Sequence, residues 1–151
     1  MSKKKNVGVA VYYRISKRAK HGVRMQKRTC RSYCARNKFK IVKEYVDLGF
    51  SGTNKKRPAL KELIEDLNRG KTKSLLVYKL DRLSRDFSQL NRLLDFFKEK
   101  DITLISATQN IDESTPEGRF MLRILMGLAE FEKGVISKRT IDGLLARKKE
   151  R

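Results

Sequence analysis

Apolar and polar residues alternate in blocks over the first two thirds of the chain, and the blocks have two different periods. Four short segments are either continuously apolar or alternate apolar with charged residues, and both patterns are typical of β-strands. These segments are residues 7–13, 39–46, 74–78 and 102–106. The pattern therefore predicts four strands.

Longer segments with the composition or spacing of helices lie between the predicted strands. They are residues 25–37, 58–70 and 87–100. Pro58 suits the first turn of a helix, and Gly70 suits the position that ends one. Strands that alternate with helices predict an α/β fold, with a mainly parallel central sheet of four to five strands covered by helices.

The last part of the chain has a different pattern. Ser114 and Glu117 have the spacing of a capping box, and no proline follows Pro116. Apolar residues then recur at Met121, Leu125, Leu128, Phe131, Val135, Ile141 and Leu145. A continuous helix from there to the end would be roughly 50 Å long, which is more than a domain of this size needs. We expect an α/β body over residues 1–113 and a long helix over residues 114–151 that packs on a second copy, rather than an ordinary amphipathic helix packed on its own body.

The charge of the chain favours a polyanionic partner. Among 151 residues, 37 are Lys or Arg and 17 are Asp or Glu, which gives a formal net charge of +20. Nucleic acid is the first candidate for such a partner. No apolar stretch has the length of a membrane span or the form of a signal peptide, so we expect no membrane partner and a cytoplasmic location. Cys30 and Cys34, the two cysteines, cannot form a four-ligand zinc site or a disulfide framework.

A hydroxyl and several guanidinium groups follow two of the predicted strands. Arg14 and Ser16 lie at the end of the first strand, and Arg82 and Arg85 follow the third. Arg57 lies in an adjoining loop. In open α/β sheets, ligands bind outside the carboxyl ends of the strands. Fixed positive charge around a hydroxyl suits attack on a phosphodiester, because negative charge grows on the phosphate oxygens as it reacts.

Two other functions remain open from these residues. Asp47, Asp81 and Asp112 each follow a predicted strand, so they would converge on Mg²⁺ in a metal-dependent nuclease. The neighbouring arginines make a divalent cation unfavourable there, and Asp81 is expected either to orient a guanidinium or to cap its loop. The other alternative is a basic DNA-binding or regulatory module that keeps the fold without catalysis.

Six short motifs occur along the chain. They are Tyr12-Tyr13-Arg14-Ile15-Ser16, Asp47-Leu48-Gly49-Phe50-Ser51-Gly52, Arg57-Pro58, Lys79-Leu80-Asp81-Arg82-Leu83-Ser84-Arg85, Ser114-Thr115-Pro116-Glu117-Gly118-Arg119, and Ala129-Glu130-Phe131-Glu132 followed by Arg139-Thr140. In this order, and over nearly the whole chain, they resemble the catalytic domain of the serine recombinases. That family is the resolvase and invertase group, which includes the large serine integrases.

The resemblance implies a nucleophile and a set of phosphate ligands. Ser16 would attack a DNA phosphodiester and become joined to the 5′ phosphate, which releases a 3′ hydroxyl. The remaining catalytic residues would be Arg14, Arg57, Asp81, Arg82, Arg85 and Arg139, with the arginines holding the scissile phosphate and Asp81 organising them. Supporting residues would be Tyr12, Gln26, Asp47, Ser51 and Glu132.

The resemblance also implies how the domain assembles and what it needs. The bond to Ser16 preserves the energy of the broken phosphodiester, so rejoining needs neither ATP nor a metal, and no cofactor is expected. The family works as a homodimer on each DNA site, and two dimers form a synaptic homotetramer through the long helices. Because the chain stops inside that helix, we expect a catalytic domain cut from a longer integrase or transposase, before its DNA-binding region.

Overall fold

The computed structural model describes residues 7–15, 22–49, 56–109, 111–112 and 115–149. The elements in chain order are β1 (Val7–Ile15), α1 (Gly22–Asn37), β2 (Phe39–Leu48), α2 (Pro58–Asn68), β3 (Ser74–Val77), a 3₁₀ turn (Leu80–Arg82), α3 (Phe87–Glu99), β4 (Thr103–Ser106), β5 (Ile111–Asp112) and α4 (Pro116–Lys149). Each strand and helix predicted in the first hundred residues is present, with ends that differ by no more than three residues.

The described strands form one five-stranded sheet in the order β2-β1-β3-β4-β5. The first four strands are parallel, and the two-residue β5 pairs antiparallel with β4. This confirms the predicted mainly parallel α/β sheet. Periodicity did not indicate β5, because two residues are too few to show a period.

The helices cover the two faces of the sheet unequally. On one face α1 buries Cys30 and Cys34 against alternate residues of β1 that include Tyr13. On the other face α2, α3 and the first turns of α4 pack against the intervening residues, which include Tyr12. Since β1 is central and covered on both sides, seven of its nine residues are buried. Burial raises the pKa of the Cys30 thiol to about 12.

The edge strand β2 bends over β1 at a bulge. The register passes from Val9 opposite Ile41 to Ala10 opposite Lys43, so Val42 has no partner of its own. Its side chain lies over Gly8, where an added Cβ would come within 2.8 Å of Val42 Cγ2. A glycine is therefore required here for close contact between the strands.

Helix α4 spans 34 residues, which corresponds to a length of about 51 Å. Thr115 Oγ1 accepts a hydrogen bond of 3.0 Å from Gly118 N–H, so Thr115 caps the helix and Pro116 occupies its first position. The predicted cap was therefore wrong by one residue; Ser114 itself lies outside the described residues. None of the described helices is long and apolar enough to cross a membrane.

Candidate active site

Parallel pairing brings the ends of β1 and β3 together at the carboxyl edge of the sheet. Tyr12 in β1 lies opposite Val77 in β3. Arg14 lies two residues beyond this pair in β1, and the 3₁₀ turn Leu80–Arg82 lies just beyond it after β3. The two are therefore neighbours. Arg14 points to the same face of the sheet as Tyr12, because side chains alternate along a strand. The sequence-based expectation that these two segments meet is confirmed by the register.

The guanidinium of Arg14 is fixed by backbone carbonyl groups of the 3₁₀ turn. Its Nε donates to the carbonyl of Arg82 at 3.2 Å, and its Nη2 donates to the carbonyl of Asp81 at 2.9 Å. The side chain is fully buried. Burial lowers the pKa of Arg14 most, and the nearby charges of Arg82 and Arg85 lower it further. A buried cation beside other cations is costly to hold, and it favours any anion that enters.

Arg57 reaches the same turn from the start of α2. Its Nη1 donates to the carbonyl of Arg82 at 3.3 Å and also to the carbonyl of Leu83. The side chain is 3% exposed, yet its Nε and Nη2 have no hydrogen-bond acceptor among the described residues. Buried donors are almost always satisfied in proteins, so two open donors on one buried guanidinium indicate a place for an acceptor.

Arg82 is the third arginine at this turn, and its side chain donates to the backbone of Arg14. Its Nη1 bonds to the carbonyl of Arg14 at 3.3 Å, so the two arginines each hold the backbone of the other. Arg82 Nε lies 3.4 Å from Asp81 Oδ1, but neither atom makes a hydrogen bond within the described part of the chain. The Asp81 carboxylate is therefore ion-paired with Arg82, but the expected charge-assisted hydrogen bond is not formed among the described residues. Arg14 is oriented by the backbone carbonyls of Asp81 and Arg82.

Asp47 at the end of β2 organises the start of α2. Its Oδ1 accepts from Ala59 N–H at 2.9 Å, and its Oδ2 accepts from Leu60 N–H at 3.0 Å and from the Tyr12 hydroxyl at 2.8 Å. A carboxylate at this position caps the helix and balances its dipole. Both oxygens are thus engaged by protein donors, which does not support Asp47 as a metal ligand. Burial raises the pKa of Tyr12 well above its usual range, so the hydroxyl stays protonated and donates.

Gln26 joins α1 to the same edge of the sheet. Its Nε2 donates to the carbonyl of Arg14 at 3.3 Å. The residue is 2% exposed, and its Oε1 has no hydrogen-bond partner among the residues described. This contact supports the expectation that Gln26 assists the arginines, and it places the first turns of α1 beside them.

The residues after β4 bond to the 3₁₀ turn and to the residue just after β3. This contact was not predicted from the sequence. Gln109 Oε1 accepts from Leu80 N–H at 3.0 Å and from Ser106 Oγ at 3.4 Å. Thr108 Oγ1 donates to the carbonyl of Tyr78 at 2.6 Å. The available signal was that these polar residues follow the strand next to β3, where the carboxyl-edge rule also applies.

The remaining predicted site residues are placed only in part. Ser16 and Ser51 lie outside the described residues. Glu132 and Arg139 belong to α4, and Asp112 belongs to β5. The structure describes the backbone of these three residues and not their side chains. Their predicted roles stay predictions.

A groove of about 460 Å³ lies elsewhere, between α3 and α4 at the opposite edge of the sheet. Its lining includes Asn91, Thr103, Arg119 and Leu122. Arg14, Arg57 and Arg82 are not part of its wall. They lie instead at the carboxyl edge of the sheet, around the 3₁₀ turn Leu80–Arg82.

Comparison with known sequences shows the family to which the chain is related. The family model of the resolvase N-terminal domain matches residues 9–151. The chain is 43% identical to the transposon Tn917 resolvase of Enterococcus faecalis over 96 residues, which are 64% of this chain and 51% of that protein. It is also 43% identical to the serine recombinase gin of Escherichia phage Mu over 96 residues, 64% of this chain and 49% of that protein. The chain thus spans about half the length of these relatives.

Solved structures give the same answer for the fold. The N-terminal catalytic domain of TP901-1 integrase matches with a TM-score of 0.73 and 35% identity, covering 85% of this chain and 98% of that one. A resolvase family site-specific recombinase from Streptococcus pneumoniae matches with a TM-score of 0.73 and 25% identity, covering 95% of this chain and 99% of that one.

Proposed function

This chain belongs to the family of resolvase N-terminal domains, and from that premise we propose that it is the catalytic domain of a site-specific DNA recombinase. The resemblance to serine recombinases inferred from its motifs is confirmed by the family match and by the integrase domain. The function is carried by one observation: Arg14, Arg57 and Arg82 converge on the turn at the carboxyl edge of the sheet.

The proposed reaction is transfer of a DNA phosphoryl group to a serine. The Ser16 hydroxyl attacks the scissile phosphorus, the Oγ–P bond forms, and the bond from phosphorus to the 3′ oxygen breaks. The hydroxyl loses its proton and the departing 3′ oxygen gains one. The product is a 5′-phosphoserine and a free 3′ hydroxyl. Rejoining reverses these steps on a new strand, with no ATP or metal, because the phosphoester energy is kept.

The arginines supply the charge that this transfer needs. Negative charge grows on the phosphate oxygens, and preorganised cations stabilise it without reorganising during the reaction. Arg57 offers two buried donors with no acceptor among the described residues, and its planar fork suits two phosphate oxygens. The cations close to Arg14 disfavour its charge until an anion is bound. Arg85, and Arg139 from α4, would complete the phosphate contacts, and Asp81 would help to organise the arginines.

The supporting residues hold this arrangement in place. Tyr12 and Asp47 fix the start of α2 and therefore Arg57. Gln26 holds the backbone of Arg14. Ser51 and Glu132 are proposed to assist in the same way, from the loop before α2 and from α4. DNA is the partner, and the cytoplasm is where the reaction takes place.

A homodimer through α4, and a synaptic tetramer built from two such dimers, belong to the same proposal. On the side away from Leu122 and Leu125, α4 exposes large apolar side chains: Phe120, Met121, Ile124, Leu128 and Phe131 are each at least 40% exposed. Such a row on one long helix is typical of a surface that is covered by another protein. A second copy of α4 is the occupant that the family implies.

The test is covalent trapping. The chain is incubated, with EDTA present, with a pool of nicked duplexes of randomised sequence, so that the short cleaved fragment diffuses away. Mass spectrometry of the digested protein should find a nucleotide phosphate on Ser16. Ser16→Ala should abolish the adduct, whereas Ser84→Ala should retain it. Ser84 is the matched control, since it closely follows the 3₁₀ turn in sequence and its hydroxyl donates to Asp86 and Gln89.

Other outcomes of the trapping experiment point to other functions. An adduct that persists in Ser16→Ala would contradict the proposed nucleophile. Cleavage without an adduct that depends on added Mg²⁺ would favour the metal-dependent nuclease. DNA binding that is identical in both variants, without any cleavage by a longer form of the protein, would favour the silent binding module.

A further inference from the structure

The outer surface of α1 has a charge unlike that of the other body helices. Over its 16 residues it carries five cations and no acidic residue: Arg24, Lys27, Arg28, Arg31 and Arg36. The other two body helices mix both signs. α2 has one cation with three acids, and α3 has two of each. The positive excess of the body helices is therefore concentrated on one face of the sheet.

Three of these arginines form a row, which we call the α1 stripe. Arg24, Arg28 and Arg31 have the i, i+4, i+7 spacing that places residues on one side of a helix. All three are exposed. Arg31 is paired with Glu44 of β2, whereas Arg24 and Arg28 form no ion pair within the described residues. The stripe thus presents two guanidinium groups that no described carboxylate neutralises.

The α1 stripe begins beside the carboxyl edge of the sheet, where Arg14, Arg57 and Arg82 lie. Because β1 and β2 are parallel, the chain returns through α1, whose first turns therefore lie at the carboxyl edge of the sheet. Gln26 confirms this placement, since it bonds to the backbone of Arg14. Arg24 and Arg28 flank Gln26 in sequence. The stripe therefore extends the positive surface from the reaction site onto the outside of α1 for about 10 Å, at about 1.5 Å per residue.

We propose that the α1 stripe binds phosphates of duplex DNA outside the reacting bond. This rests on the proposed function, which brings DNA to the adjacent edge. Exposed guanidinium groups without fixed partners suit sequence-independent phosphate contacts, because they adapt to a backbone that presents charge at regular intervals. The buried arginines of the edge hold one phosphate for reaction, and the stripe adds binding free energy that does not depend on the reacting bond.

The test measures how salt weakens DNA binding, because each phosphate contact adds about 0.9 to the slope of log K against log salt. Anisotropy of a labelled duplex of arbitrary sequence is followed in NaCl for the wild type and for Arg24→Gln/Arg28→Gln. The control is Lys61→Gln/Arg92→Gln, which removes the same charge from exposed positions on α2 and α3. Urea unfolding shows that both variants keep the fold.

The α1 variant is expected to lower the slope by about 1.8. The ratio of the wild-type affinity to the variant affinity should therefore fall by about tenfold between 50 and 200 mM salt. The control variant should keep the wild-type slope. Equal changes in both variants, or no change in either, would overturn the proposal, since the effect would then follow total charge. Binding of polyglutamate is measured with the same proteins. If the α1 variant loses that binding and keeps the wild-type DNA slope, the stripe binds an acidic polypeptide and the DNA proposal is overturned.

The two proposals fail separately. Ser16→Ala is expected to remove the covalent adduct whether or not α1 contacts DNA. The salt slope is measured without any reaction. If the wild type forms no adduct but shows the expected slope difference, the result would contradict Ser16 as the nucleophile and would still support DNA binding by the α1 stripe.

Discussion

Arg14 and Arg28 carry the same guanidinium group in opposite surroundings. Arg14 is fully buried and is held by two backbone carbonyls of the 3₁₀ turn. Arg28 is exposed on α1 and makes no ion pair with a described residue. The first setting gives a charge of fixed position, as the proposed stabilisation of a transition state requires, and the second gives a charge that is able to adapt to the proposed polymer. The 37 Lys and Arg residues of this chain therefore include at least two kinds of cation, buried ones of fixed position and exposed ones.

The largest expected difference between the two arginines is in reaction rate. Arg14→Met should slow covalent adduct formation by about a hundred- to a thousand-fold at saturating DNA, because one preorganised donor to the reacting phosphate is lost. Arg28→Met should act on binding and raise the DNA concentration at half-saturation. Single-turnover adduct kinetics over a range of DNA concentrations separate the two effects. Equal losses of the saturating rate in both variants would remove the distinction between buried and exposed arginines.

The second prediction concerns the carboxylate that positions Arg57. Asp47→Ala should lower the free energy of unfolding by about 2 kcal/mol, because three hydrogen bonds to a buried carboxylate are lost at the start of α2. Asp86→Ala is the matched control. Asp86 caps α3 through Ser88 N–H at a more open position, so its loss should cost about 1 kcal/mol. Urea unfolding measures both, and an equal or smaller effect at Asp47 would contradict its role at the edge.

A third prediction addresses the turn that orients the buried arginines. Gln109→Leu leaves Leu80 N–H without its acceptor and should lower the free energy of unfolding by about 1–2 kcal/mol. Gln109→Glu keeps an acceptor at the same place, so its free energy of unfolding should be close to that of the wild type. Hydrogen exchange at the Leu80 amide should be faster in the leucine variant alone. Unchanged exchange there would mean that Gln109 does not support the turn.

The smallest expected effect concerns Arg31, the one member of the α1 stripe with a described partner. Its two hydrogen bonds to Glu44, with help from the Tyr13 hydroxyl, lower the pKa of that carboxyl in the folded state. The carboxylate therefore stabilises the fold above its unfolded pKa of about 4.3, and this contribution is lost as the pH falls through the lower folded value. Because Arg31 is more than half exposed, the pair should contribute less than about 1 kcal/mol.

Glu44→Gln provides the measurement for that pair. The difference in free energy of unfolding between wild type and variant should be present at about pH 7 and should shrink towards about pH 3. A difference that stays constant over this range would show that the hydrogen-bonding shape of the side chain matters, and that its charge does not.

The alternation of strand and helix patterns was sufficient to predict the architecture. Apolar runs and helical spacing have different periods, and four parallel strands with helices on both faces are the arrangement that buries them. The same patterns placed Arg14, Arg82 and the start of α2 at one edge, because the ends of parallel strands meet there. The motifs and their order predicted the family, and the family match confirms it.

Tertiary structure alone decided how each of those residues is used. Nothing in the sequence around Asp81 shows that its backbone carbonyl, and not its carboxylate, holds Arg14. Nothing around Gln109 shows that it supports a turn 29 residues earlier in the chain. Periodicity reports which side of an element faces the core, since that depends on neighbours three or four residues away. Hydrogen bonds between distant segments depend on register and distance, which exist only after the sheet has formed.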